Sequence, residues 1–206
     1  MYQKNTIPNI SIAVGMMALH ASSASAAIIY LPGQEIPIPT TFEGVSVNLE
    51  TGAVTNALAG APGADVNFVL GGRGITNDAD ETASAPTFQP VRSGTGNTDP
   101  IVELTFGTVV GPTSVTGNDF GGSSTHFATF TSGTQGYIGF EVVLADTTVS
   151  YGWLLTTLQD DNTPGVIHSW AYENSGAAIT VGAIPEPSHS LLSIFGLAAL
   201  ALRRRR

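Results

Sequence analysis

The chain has 206 residues, no cysteine, and 16 acidic against 7 basic side chains, a formal charge of −9. Disulfides, thiolate metal sites and a thiol nucleophile are excluded, and so acidic a surface repels nucleic-acid phosphates, leaving no nucleic-acid partner to expect. The length suits one ordinary domain once two unusual ends are set aside.

At the amino terminus, Lys4 precedes an apolar run from Ile10 to Leu19, followed by Ala24-Ser25-Ala26. A basic start, a short apolar stretch and small residues after it form the pattern of a secretory signal peptide, here residues 1–26. Cleavage by signal peptidase is expected before Ala27, with Ala21 and Ala24 as neighbouring alternatives. The run is too short for a bilayer span, which disfavours an uncleaved anchor.

Residues 27–184 carry fifteen acidic side chains against Arg73 and Arg92, a formal charge of −13. Gly, Thr, Ser and Val dominate and no long helical periodicity appears, which predicts an all-β domain of strands joined by turns. Strands are expected over Ser46–Leu49, Ala64–Leu70, Ile101–Val110, His126–Thr131, Gly136–Leu144, Thr148–Gln159, Val166–Tyr172 and Ala178–Val181. Their spacing predicts a single β-sandwich, jelly-roll or lectin-like. The stretch 71–100 is rich in turn residues and reads as a long flexible loop. Gly71-Gly72-Arg73-Gly74 lacks the lysine and helix of a phosphate cradle and reads as a hairpin turn.

The clearest unit runs from Gly136 to Gln159. Ile138, Phe140, Val142 and Leu144 alternate with Tyr137, Gly139, Glu141 and Val143, a period of two that means strand. After Ala145-Asp146-Thr147 a second strand carries Tyr151, Trp153 and Leu155 on one face and Leu154 and Leu158 on the other. Bulk on both faces predicts a central strand.

The sequence carries few chemical motifs. No nucleophile elbow, Walker loop, His-Glu-x-x-His or paired-cysteine motif occurs, so neither a catalytic residue nor a cofactor is expected. His126 and His168 read as strand histidines. Glu103 and Glu141 are the carboxylates available for a hydrolytic pair, which needs both across one cleft. Asp78, Asp80 and Glu81, and separately Asp160 and Asp161, are weak calcium candidates in acidic loops that lack EF-hand spacing. Tyr151, Trp153, Trp170 and Tyr172, with Tyr137, would make an aromatic platform for sugar rings if they faced outward; aromatic residues in strands more often build the core.

The carboxyl terminus is the most distinctive part. Pro185-Glu186-Pro187-Ser188 leads into an apolar stretch containing Leu191, Leu192, Ile194, Phe195, Leu197, Leu200 and Leu202, which Arg203, Arg204, Arg205 and Arg206 end. As a helix over about 188–202 it would span about 22 Å at about 1.5 Å per residue, a short transmembrane segment that snorkelling arginines extend. The arginines belong on the cytoplasmic side and place the upstream domain outside. Pro185 and Pro187 favour an extended linker.

This tail, residues 185–206, resembles that of the PEP-CTERM family of exported bacterial surface proteins. The resemblance implies recognition of Pro185, Glu186 and Pro187 by an exosortase, a membrane-embedded transpeptidase that cuts the tail. Gly136 to Phe140, Tyr151 to Trp153 and Trp170 to Glu173 are similar to a recurrent subgroup of that family, as is Asn67 to Gly72. The implied role is a non-enzymatic cell-surface or extracellular-matrix protein associated with exopolysaccharide. It is held in the membrane by its C-terminal helix before processing and is extracellular or surface-bound afterwards. A lectin-like carbohydrate-binding module is the alternative, and an extracellular hydrolase a third reading.

Overall fold

Alternating apolar residues give the longest strands, and the computed structural model describes residues 27–56, 63–77, 87–95, 99–117, 129–160 and 162–185. Within them the strands are β1 (Ile28–Leu31), β2 (Ile36–Ile38), β3 (Val45–Val47), β4 (Val54–Thr55), β5 (Val66–Val69), β6 (Gly74–Asn77) and β7 (Phe88–Pro90). There follow β8 (Glu103–Leu104), β9 (Val109–Val110), β10 (Gln135–Val143), β11 (Val149–Thr157), β12 (Gly165–Glu173) and β13 (Ile179–Thr180). The fold is all-β, as its composition predicts.

Every pairing is antiparallel. A seven-stranded sheet runs β1-β12-β11-β10-β7, with β2 beside β12 and β8 beside β10; a four-stranded sheet runs β4-β3-β5-β6; β13 and β9 form a ribbon. Thus β11 is central, as bulk on both its faces predicts.

Period-two alternation then builds two cores. Ile138, Phe140 and Val142 of β10 and Leu154 of β11 pack with Val45, Val47, Val66 and Phe68 of the four-stranded sheet. On the opposite face, Tyr151, Trp153 and Ala171 pack with Val110, Ile179 and Val181 from the ribbon and its flanks. Each large apolar side chain so buried contributes about 1.5–3 kcal/mol of transfer free energy.

The turns follow from local chemistry. Between β10 and β11, Thr147 donates its N–H to the Leu144 carbonyl at 2.8 Å, and Asp146 Oδ1 accepts the Thr148 N–H at 2.9 Å. These bonds from Thr148 hold the Asp146 carboxyl below its usual range. Gly71-Gly72-Arg73-Gly74 does connect a hairpin, β5 to β6, through a 3-10 turn at Leu70–Gly72.

Several expected spans are corrected. The stretch 71–100 holds strands β6 and β7, and Ser93 donates to the Pro100 carbonyl at 3.0 Å, so it is not one long loop. The Ile101–Val110 strand divides at a turn, because β8 joins the large sheet while β9 joins the ribbon. Of the strand expected at 126–131, residues 126–128 lie outside the described residues, and Thr129 and Phe130 lie in a turn and bend.

Candidate functional site

The register of β12 contains the feature that organises the site. Leu155 faces Ser169, but Thr156 faces Ile167, so His168 is the extra residue of a β-bulge. The bulge reverses the side-chain alternation, which lets Ile167 and Trp170 enter the same core despite an odd spacing. It also turns His168 to the other face, toward Thr157.

There His168 Nε2 lies 2.8 Å from Thr157 Oγ1, and Nδ1 lies 3.1 Å from each Glu35 carboxylate oxygen. Glu35 holds a φ of 46°, in the left-handed region that non-glycine residues seldom adopt. It occupies the link between β1 and β2, where Gln34 donates its N–H to the His168 carbonyl at 2.8 Å. The link and the bulge thus fit one another and aim hydroxyl, imidazole and carboxylate into one chain. The His168 side chain is 16% exposed and that of Glu35 65%.

This order of groups can activate a hydroxyl nucleophile. Acyl chemistry needs, in addition, N–H donors converging on the developing oxyanion. The backbone at Thr157 is an antiparallel ladder paired with Gln135 and Val166, not a turn or helix start that would present them. What the arrangement offers directly is a set of fixed donors and acceptors at the edge of a sheet face.

Two tyrosines continue that face. Tyr30 lies opposite Ala171, and Tyr137 opposite Leu155. Their rings sit 5.9 and 5.6 Å from that of Trp153, the second edge-on, so both are clamped by an indole while remaining half-buried. Tyr30, Tyr137, Thr157, His168 and Glu35 therefore form the candidate site.

The residues chosen from sequence fall elsewhere. Tyr151, Trp153, Trp170 and Tyr172 are 7, 3, 0 and 5% exposed, so a sugar ring cannot stack on them. They are also divided: Trp170 and Tyr172 enter the main core, Tyr151 and Trp153 the other. Burial raises the phenol pKa of both Tyr151 and Tyr172, aided by Glu141 at the first and by Glu50, Asp65 and Asp146 at the second. Of the five rings proposed for the platform, Tyr137 alone is half-buried rather than buried.

Glu103 pairs with Ile138, whereas Glu141 pairs with Gln89 and Tyr151. Positions 138 and 141 point to opposite sides of β10, so the two carboxylates share no cleft. Asp160 is exposed, while Asp78, Asp80, Glu81, Asp161 and His126 lie outside the described residues. Among the described residues no three His, Asp or Glu side chains gather to hold a metal ion.

Ala27 begins the described residues and Pro185, exposed, ends them. Ala24, Ala26, Glu186, Pro187, the helix expected over 188–202 and Arg203 to Arg206 lie outside them. Among the described residues no helix is long and apolar enough to cross a membrane. The bulge had a signal in the sequence: Ile167 and Trp170 cannot share a face in a regular strand. Glu35, far from His168 in the chain, had none.

No protein-family model, curated protein or solved structure matches this chain.

Proposed function

We propose that the chain is an exported, non-enzymatic cell-surface or matrix component whose body is a β-sandwich of the two larger sheets. Signal peptidase removes residues 1–26, and an exosortase-type enzyme processes the C-terminal tail. The observation that carries this reading is the succession Pro185-Glu186-Pro187, apolar run and four arginines. Its placement supports the reading, because Ile184 and Pro185 are exposed directly after the turn in which Ala183 donates to Thr180. Pro185, the first residue of the motif, is thus open to a processing enzyme.

A body of charge −13 with a half-open face bearing Tyr30, Tyr137 and a fixed Thr157–His168–Glu35 chain suits neutral, hydroxyl-rich polymers, which favours exopolysaccharide as the material contacted. The same face supports the second reading, a lectin-like module. The test of the sorting reading is replacement of Pro185, Glu186 and Pro187 by alanine. Membrane-retained protein that keeps Arg203 to Arg206 by intact mass is the expected result, and normal processing of the variant would overturn it.

A further inference from the structure

We propose that the α-ammonium freed at Ala27 by signal-peptide cleavage is the counter-charge of Glu173, a buried carboxylate left half-paired on the second-core face. The proposal rests on the reading that cleavage falls before Ala27.

Glu173 is 3% exposed. Its Oε2 accepts the N–H groups of Ser175 at 3.0 Å and Ala177 at 2.7 Å, while Oε1 is buried without a hydrogen-bond partner among the described residues. A carboxylate withdrawn from water in this way is costly unless its charge is answered.

Among the described residues no side chain supplies the answer. Tyr151 stands opposite Glu173 on β11, Glu141 lies beyond it on β10, and Ile28 faces Glu173 from β1 with Tyr30 two residues along. From the ribbon, Ile179 packs on this face. These neighbours are neutral or acidic. Residues 27–184 contain no lysine, and their two arginines lie in the turn after β5 and in the bridge of Arg92 to Ile101.

The amino terminus is positioned to supply it. Ala27 extends the pairing of β1 with β12 by one residue, donating its N–H to Asn174 Oδ1 at 3.1 Å and accepting the Asn174 N–H at 3.2 Å. Its nitrogen is therefore one register step from Glu173, which stands opposite the next residue, Ile28. In the uncleaved chain that nitrogen is a neutral amide. Cleavage of the Ala26–Ala27 peptide bond by water gives Ala26 a carboxylate and Ala27 an ammonium, so processing adds one positive charge one register step from Glu173. The native state would be completed only after export.

Because Lys4 leaves with the signal peptide, this ammonium is the only amine of the processed chain and can be acetylated selectively. The experiment uses processed protein recovered from cells and medium, with its first residue fixed by intact mass, and compares urea unfolding before and after acetylation. Acetylation is expected to raise the unfolding constant at pH 7 by about tenfold, equivalent to one pKa unit of coupling. Glu173→Gln is expected to abolish the effect; should that variant not fold, the comparison on unsubstituted protein stands alone. Equal unfolding midpoints for free and acetylated protein beginning at Ala27 would overturn the proposal while leaving the export reading intact. A different first residue would overturn the cleavage position, and the proposal with it.

Discussion

The indole of Trp170, fully buried in the seven-stranded sheet, donates its N–H to the carbonyl oxygen of Leu49 at 2.8 Å. Leu49 follows β3 of the opposing sheet, and its own N–H is held by Asp65 Oδ2 at 2.7 Å. One bond thus ties the two sheets across their shared core. Trp170→Phe leaves the Leu49 carbonyl buried and unpaired and is expected to cost about 1–3 kcal/mol. Trp170→Ala adds a cavity and should cost about 3–5 kcal/mol or more. Urea midpoints of the two variants check both values, and a neutral Trp170→Phe would mean the bond contributes nothing net.

Gly152 sets how closely the central strand packs. A Cβ there would lie 2.2 Å from Phe140 Cζ and 2.6 Å from the Ala171 carbonyl oxygen. The second contact is backbone of the adjacent strand and cannot turn aside. Gly152→Ala is therefore expected to destabilise by about 1–3 kcal/mol through overpacking, opposite to the gain that removing a glycine from a strand interior ordinarily gives. Thermal unfolding of the variant decides the sign.

The β10–β11 hairpin was legible because alternation over nine-residue strands leaves a single register that buries both faces correctly. Tyr151, Trp153 and Leu155 do share a face, opposite Leu154 and Leu158. Whether that face was covered was not legible, since the cover comes from Val110 and Ile179, in strands of two residues, and from Val181 directly after the second. Short edge strands escaped for a related reason. In β2 and β7, Pro37 and Pro90 argue against a strand, yet both strands pair on one side only, where a proline is tolerated. The candidate site was the least legible part, because Glu35 meets His168 only through a bulge matched to a link 133 residues away.

Stability should fall at both pH extremes for identifiable reasons. Burial raises the pKa of Tyr151 and Tyr172, so their contribution is complete below the unfolded tyrosine value of about 10 and is lost as pH rises beyond it. A Tyr151→Phe, Tyr172→Phe double variant should show a flatter alkaline limb above about pH 10. On the acid side, the bonds from Thr148 lower the Asp146 pKa, so its contribution is present above about pH 4 and lost as pH falls through the folded value. Asp146→Ala should weaken the acid limb alone. Chemical unfolding at intervals across pH 2–11 measures both limbs, and unchanged limbs in the variants would contradict these assignments.

The half-open face makes the final prediction. Thr157→Val keeps the shape of a strand residue but removes the hydroxyl that meets His168 Nε2, at an expected stability cost of about 0.5–1.5 kcal/mol. If the Thr157–His168–Glu35 chain fixes donors and acceptors for a polysaccharide, this variant should bind at least about fivefold more weakly, the equivalent of one net hydrogen bond. Phe106, exposed in the turn before the ribbon, is the control: Phe106→Ser should change neither property. Co-sedimentation with extracellular polysaccharide, using variants verified as folded, separates the outcomes. Equal retention of Thr157→Val and the unsubstituted protein would remove this face from the binding surface, leaving the chain of contacts as a clip that locks β1 and β2 onto β12.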